Sequence, residues 1–180
     1  ATFGVGSRIE SIASLVVLAL SMTLPPFISQ NFGAGKLNRV KEAYTTTLKF
    51  VMIWQFIIYL LLIAFSGVIS ELFGKEQMVI DVIKLFIFTL PLSYGLQGII
   101  ILSNSSFNAL HKPMNALILI VIRLFIFYIP FAYVGNLYAG LPGLLIGAAL
   151  GNLFTAIIAY KWFIKELNMI SNQAVQECQA

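Results

Sequence analysis

Three uninterrupted runs of uncharged, mostly apolar residues constrain the fold of this chain more than any other feature. They occupy residues 51–70, 85–102 and 141–160. Each approaches or reaches the ~20 residues that an α-helix needs to cross ~30 Å of hydrocarbon at ~1.5 Å per residue. Only 10% of the 180 residues are charged, against about 25% in a soluble domain. Because the runs do not alternate as barrel strands do, the sequence predicts a helical integral membrane protein.

We expect the chain to cross the membrane five times, in an all-α polytopic transmembrane helical bundle. The predicted spans lie at about residues 12–28, 48–70, 85–110, 114–134 and 143–163. The bundle would occupy residues 1–164, and the more polar residues 165–180 would form a tail. None of the segments between the spans is long enough to form a soluble domain, so no second domain is predicted.

The Lys and Arg residues lie mostly at the ends of the predicted spans and predict which side each end faces. Seven fall on one side, namely Lys36, Arg39, Lys41, Lys49, Lys112, Lys161 and Lys165. Three fall on the other, namely Arg8, Lys75 and Lys84. Cytoplasmic loops carry an excess of basic residues, so we predict a multi-pass protein of the inner (plasma) membrane with a cytoplasmic C-terminus. The start of the chain would lie outside, which is natural for a piece whose upstream helices are missing.

The composition argues against an enzyme and against a nucleic-acid partner. The formal net charge is +4, but basic residues at span ends are topology signals rather than a nucleic-acid site. Cys178 and His111 are the only cysteine and histidine, so neither a disulfide framework nor a cysteine metal site is available. No catalytic triad or carboxylate pair can be assembled. We therefore expect membrane lipid around the chain, no metal and no cofactor.

The third predicted span carries a stripe of polar side chains. Ser93, Gln97, Asn104 and Asn108 project at nearly the same angle at about 100° per residue. Amides are costly in hydrocarbon, so the stripe must face other helices or a water-filled cavity. Both interpretations stay open: hydrogen bonds between helices, or the wall of a substrate cavity. If the second holds, Gln97, Asn104 and Asn108 line a substrate or ion pathway.

One carboxylate enters a predicted span. Glu10 shares a face of the first span with Ser14 and Ser21, and it lies one turn from Arg8. A carboxylate in a membrane span is a candidate for coupling to a proton or cation or for pairing with a cationic substrate, because an isolated charge there is costly. The alternative is an interfacial, solvated or ion-paired glutamate. We carry Glu10 as a fourth candidate pathway residue.

Two further features of the spans have a structural and a functional interpretation. Arg123 lies inside the fourth span, where it must extend to the membrane surface or find a partner such as an anionic headgroup or substrate. The fifth span repeats small residues at every fourth position, namely Gly143, Gly147, Gly151, Thr155 and Ala159. Such a ridge lets a neighbouring helix approach closely, and we interpret it as architectural.

Several short motifs occur along the chain, namely Gly-Ser-Arg-Ile-Glu-Ser at 6–11, Pro-Phe-Ile-Ser-Gln-Asn-Phe-Gly-Ala-Gly-Lys at 26–36, Leu-Phe-Gly at 72–74, Phe-Asn-Ala-Leu-His-Lys-Pro at 107–113, Ile-Pro at 129–130 and Gly-Leu-Pro-Gly at 140–143. Their order and spacing resemble those of the multidrug and toxic compound extrusion (MATE) transporters. Members of that family have twelve helices in two lobes of six. The chain is similar to helices eight to twelve, which form most of the C-terminal lobe, so the resemblance implies a missing N-terminal lobe.

The resemblance also implies a function. It predicts export of cationic amphipathic drugs or toxic compounds, driven by inward Na⁺ or H⁺ through rocking of the two lobes. In some members an acidic residue of the tenth helix takes part in cation coupling, but residues 94–98 contain none here. Two alternatives remain: a lipid-linked saccharide or lipid flippase of the same architecture, or a small membrane protein that acts by helix association. In every case we expect the chain alone to be inactive in drug export.

Overall fold

A computed structural model describes residues 2–67 and 77–177, although the side chains of residues 2–10, 12–13, 77–84, 86, 90–92 and 174–177 lie outside that description. The helices are α1 (Thr2–Gly33), α2 (Leu37–Ala64), α3 (Gln77–Ala109), α4 (Pro113–Val121), a π-helical segment (Ile122–Tyr128) and α5 (Ile129–Glu177). Every element assigned within the described residues is helical, which confirms the all-α class.

The helix α5 is two rods joined by a sharp turn. Ala139 and Gly140 have non-helical backbone angles, and Gly140 takes φ 61°, in the left-handed region that favours glycine. The chain folds back there, because Gly143 meets the backbone of Gly135 and Gly147 meets that of Phe131. We call residues 113–138 the outgoing arm and residues 141–177 the return arm.

The helices within the described residues provide enough spanning segments for five membrane crossings. Three segments are long and apolar enough to span a membrane, namely Ser14–Gly33, Leu37–Ala64 and the 61 residues of Pro113–Gln173. A straight helix of 61 residues would be about 90 Å long, three times the hydrocarbon thickness, so its two antiparallel arms account for two crossings. The helix α3 overlaps the third predicted span and, at 33 residues, is also long enough to cross.

Contacts between the helices fix their directions. Tyr44 of α2 bonds Ser103 of α3, and Gln55 lies against Gly95, so α2 and α3 are antiparallel. Ser93 bonds Asn152 while Phe107 packs on Phe163 at 5.3 Å between ring centroids, so α3 and the return arm are parallel. Val17 of α1 lies beside Gly98 and Phe32 lies near His111, so α1 also runs parallel to α3. The ends of α1, α3 and the return arm therefore lie at one face of the bundle, which carries Lys36, Lys112 and Glu166; we call it the charged end.

The helix α3 lies at the centre and packs against α1, α2 and the return arm. Gly98 allows this approach: a Cβ there would meet Val51 of α2 at 2.9 Å and Val17 of α1 at 3.3 Å. Near the charged end the core is aromatic, with Tyr44, Phe107 and Phe163 all fully buried. Large apolar side chains cover the outside of α2, among them Phe50, Ile53, Phe56 and Leu60, each about half exposed.

The helices extend beyond the predicted spans. The helix α2 begins at Leu37 rather than near residue 48, after a turn in which Gly35 takes φ 70°. The predicted tail is helical to Glu177, and Leu167 within it is buried. Both differences have one reason, since the span prediction follows the apolar run while the helix continues through polar residues that pack at the charged end. The Leu-Phe-Gly motif at 72–74 and Cys178 lie outside the described residues.

Candidate functional site

One side of α3 is polar but fully packed inside the bundle. Ser103 and Tyr44 are completely buried, and their hydroxyl oxygens lie 2.6 Å apart. The Ser103 hydroxyl also lies 2.7 Å from the carbonyl oxygen of Ile99 and donates to it, so Tyr44 is the donor to Ser103. This pair holds α2 on α3, and because both side chains are completely buried a substrate cannot reach them.

Ser93 belongs to the same class of packed polar residue, although the sequence places it on the stripe. The side-chain amide nitrogen of Asn152, on the return arm, donates to Ser93 Oγ at 2.8 Å, and both residues are buried. For Ser93 the interpretation as a hydrogen bond between helices is therefore confirmed. Asn152 was not among the residues predicted from the sequence, where it stands as the one amide of residues 141–160, directly after Gly151 of the small-residue ridge.

The other predicted stripe residues lie on a less covered face of α3, which we call the open stripe: Gln97, Asn104 and Asn108. Gln97 and Asn104 are half-buried and Asn108 is exposed. At about 100° per residue the three fall within about 40° of one another. On either side of them α3 is covered, by Val17 of α1 next to Gly98 and by Asn152 next to Ser93.

The open stripe contains an unsatisfied polar atom. The Asn104 side-chain oxygen is buried and has no hydrogen-bond partner in the part of the chain that the structure describes. Ser106 Oγ is in the same situation on a packed face of α3. A buried polar group without a partner costs about 1–3 kcal/mol, so the Asn104 oxygen would gain a hydrogen bond if its half-buried side chain turned towards a donor at this face.

The neighbouring helix α2 adds a second buried amide that sequence reasoning missed. Gln55 is 3% exposed, and its Cβ lies 3.4 Å from the position that a Cβ on Gly95 would take. The absence of a side chain at Gly95 makes room for it. Gln55 was visible in the sequence as the one amide within the second predicted span.

Glu10 lies in α1, but its side chain is outside the described residues. The helices α1 and α3 run in parallel, because Val17 lies beside Gly98 and Phe32 lies near His111. That register places the backbone of Glu10 about level with residue 91, roughly two helical turns from Gln97 along the axis. Its role in the pathway stays a prediction.

The open stripe is neutral. Residues 85–109 of α3 contain no charged residue, and no group of three or more His, Cys, Asp or Glu residues within the described ranges could hold a metal ion. Arg123, the basic residue that lies inside the fourth predicted span, is half-buried within the π-helical segment. The stripe can therefore donate and accept hydrogen bonds, but it supplies no charge of its own.

The small-residue ridge has the architectural role that the sequence predicts. A Cβ at Gly143 or Gly147 would collide with the backbone of the outgoing arm, and a Cβ at Gly151 would lie 3.1 Å from Phe127. The ridge therefore brings the two arms into backbone contact and sets the position of Asn152 against α3.

The sequence model of the MatE family matches residues 1–134. The chain belongs to the MATE transporter family. A relative from Shewanella oneidensis named "FAD transporter" is 38% identical over 160 residues, which are 89% of this chain and 35% of that protein.

Solved MATE structures share the fold. The Vibrio cholerae MATE transporter VcmN in the bent form superposes with a TM-score of 0.86 at 34% identity, over 94% of this chain and 39% of that one. A MOP superfamily transporter from Pyrococcus furiosus has a TM-score of 0.83 at 21% identity, over 93% of this chain and 38% of that one, and shows the fold alone. The chain thus spans little more than a third of the length of these relatives.

Proposed function

We propose that this chain is part of a MATE transporter that moves small organic molecules across the inner membrane, and that the open stripe lines their path. The unpaired, buried oxygen of Asn104 carries the proposal. An amide in a membrane span needs a polar partner, and the described helices provide none for this atom. A second lobe would face the stripe and complete the pathway.

A flavin nucleotide is the substrate that we propose to test first. The relative named FAD transporter matches 89% of this chain, and a flavin ring presents neutral donors and acceptors that amides can pair with. The neutral stripe also contributes no carboxylate that would repel a pyrophosphate. The amides of Gln97 and Asn104 would contact the ring edge.

Export of cationic amphipathic drugs in exchange for Na⁺ or H⁺ is the second candidate. The resemblance to multidrug exporters supports it. Since residues 85–109 supply no acid, such a mechanism would need Glu10 of α1 or a carboxylate elsewhere in the transporter. In that case Glu10→Gln should abolish ion-dependent transport while substrate binding persists.

Transport by the full-length protein in proteoliposomes would test the stripe and separate the two substrates. Loss of one hydrogen bond to a bound substrate is worth about 0.5–1.5 kcal/mol, so Asn104→Ala should lower transport of the true substrate about two- to tenfold. Asn38→Ala is the matched control, because Asn38 is an exposed amide at the start of α2.

The comparison of FAD with a cationic dye such as ethidium decides between the candidates. Flavin uptake that depends on Asn104, with no dye transport, supports the first. Dye transport that depends on Asn104 and on an ion gradient supports the second. If Gln97→Ala and Asn104→Ala both transport either compound like wild type, the open stripe is packing and the pathway lies elsewhere.

A further inference from the structure

An apolar groove opens on the outer surface of the bundle, away from the open stripe. It has a volume of about 440 Å³, within the range of about 300–1,000 Å³ of small-molecule sites. Its apolar walls are Leu48, Met52 and Ile53 of α2 and Ile99 of α3. Ile99 lies about 160° around α3 from Gln97 at about 100° per residue, so a ligand of this groove would not contact the open stripe.

One end of the groove is polar. Thr45, Lys49 and Tyr160 complete its lining. Lys49 is exposed and has no ion-pair partner within the described residues. The ring of Tyr160, 41% exposed, stacks on that of Tyr44 with centroids 6.3 Å apart. The Thr45 hydroxyl donates to the Lys41 carbonyl oxygen at 2.9 Å, which leaves its own oxygen free to accept.

The polar and apolar lining residues of the groove are arranged along the membrane normal, as an amphiphilic ligand with its headgroup at one end would require. Thr45 is eight residues before Ile53, which corresponds to about 12 Å along α2. Thr45 and Tyr160 lie nearest the charged end, Leu48, Lys49 and Ile99 lie about one turn further in, and Met52 and Ile53 lie deepest. A headgroup would therefore sit beside Thr45 and Tyr160, where the long side chain of Lys49 can extend to it, and a hydrocarbon chain would lie beside Met52 and Ile53.

The charged residues near the groove indicate which class of amphiphile it can bind. Lys41 lies one turn before Thr45 on α2, and Lys161 and Lys165 follow Tyr160 on the return arm; all three are exposed. The acid Glu166 is already paired with Lys112, which leaves Glu42 as the acid near them on α2. With Lys49 in the lining, this excess of lysines disfavours a cationic amphiphile, whereas basic pockets between transmembrane helices bind anionic headgroups.

We infer that this groove binds an anionic phospholipid. Lys49 contacts the headgroup phosphate, the Tyr160 hydroxyl donates to a headgroup oxygen, and one acyl chain lies along Met52, Ile53 and Ile99. The bound lipid would cover apolar surface where α2, α3 and the return arm meet, and so would hold these three helices together.

Native mass spectrometry of the purified protein in detergent micelles tests this inference. Dioleoylphosphatidylglycerol should bind more tightly than dioleoylphosphatidylcholine, and Lys49→Gln should weaken the phosphatidylglycerol affinity about fivefold. Lys36→Gln is the matched control, since Lys36 is an exposed lysine at the same end of the bundle but outside the groove. It should leave the affinity unchanged.

A second substitution separates loss of the site from loss of the fold. Lys49→Arg keeps the charge and should retain phosphatidylglycerol binding. Equal affinity for the two lipids would overturn the inference. So would a preference for phosphatidylglycerol that survives Lys49→Gln or is lost in Lys36→Gln, since either would place the lipid elsewhere.

Discussion

Replacing Gly147 with alanine tests the closest contact in the bundle. A Cβ at this position would collide with the Phe131 carbonyl oxygen and would lie 2.7 Å from its carbonyl carbon and 3.2 Å from Cα of Ala132. All three atoms belong to the backbone of the outgoing arm, so no side-chain rotation can relieve the contact. The two arms must separate by about 1 Å to restore normal packing.

The expected loss of stability follows from two opposing effects. Overpacking of this kind costs about 1–3 kcal/mol, and a rigid backbone contact places Gly147→Ala near the upper end. Alanine regains about 1 kcal/mol through its higher helix propensity. The net loss of about 2 kcal/mol corresponds to a fall in Tm of about 4–8 °C for a chain of this size.

Thermal unfolding followed by circular dichroism at 222 nm in detergent measures this change. Gly33→Ala is the control, because a Cβ at Gly33 would meet nothing within 4 Å, and its Tm should stay the same or rise slightly. Gly151→Ala should fall between the two, since its nearest contact is 3.1 Å. A Tm for Gly147→Ala equal to or above that of wild type would refute the close approach of the two arms.

In two bonded residue pairs, replacing one member should lower the Tm more than replacing the other. The reason is that the residue left behind loses its partner in a buried position in one case and keeps more of its hydrogen bonds or its access to water in the other. Ser93→Ala should lower the Tm more than Asn152→Ala, because it leaves two polar atoms of Asn152 buried without a partner. Asn152→Ala removes the already unpaired oxygen and deprives only one atom, Ser93 Oγ, of a bond worth ~0.6 kcal/mol. The reverse order in the same melting assay would contradict the bond. Lys112→Gln should likewise lower the Tm more than Glu166→Gln. The Glu166 side chain is 8% exposed and would be left buried and charged, whereas that of Lys112 is 37% exposed and can reach water. Equal shifts in Tm would indicate that the ion pair is solvated.

Much of the candidate site was visible in the sequence, but only as a set of residue types. The seven-residue and four-residue spacings placed Gln97, Asn104 and Asn108 on one face of a helix, because helical periodicity is a local property. Which polar residues of that helix are satisfied depends on partners distant in sequence. Ser93 and Asn152 are 59 residues apart, as are Tyr44 and Ser103, and no spacing rule connects them.

The sequence by itself determined the class of protein, the number of apolar helical segments and the family, because the lengths of apolar runs and short motifs are local properties of the chain. Only the tertiary structure decided how far the helices extend into polar segments and which amides remain without partners. It also decided that the small-residue ridge packs on the arm just before it. Those properties depend on the distances between helices, and in a membrane these are set by side-chain size and backbone contact rather than by hydrophobicity, since lipid and helix surfaces are equally apolar.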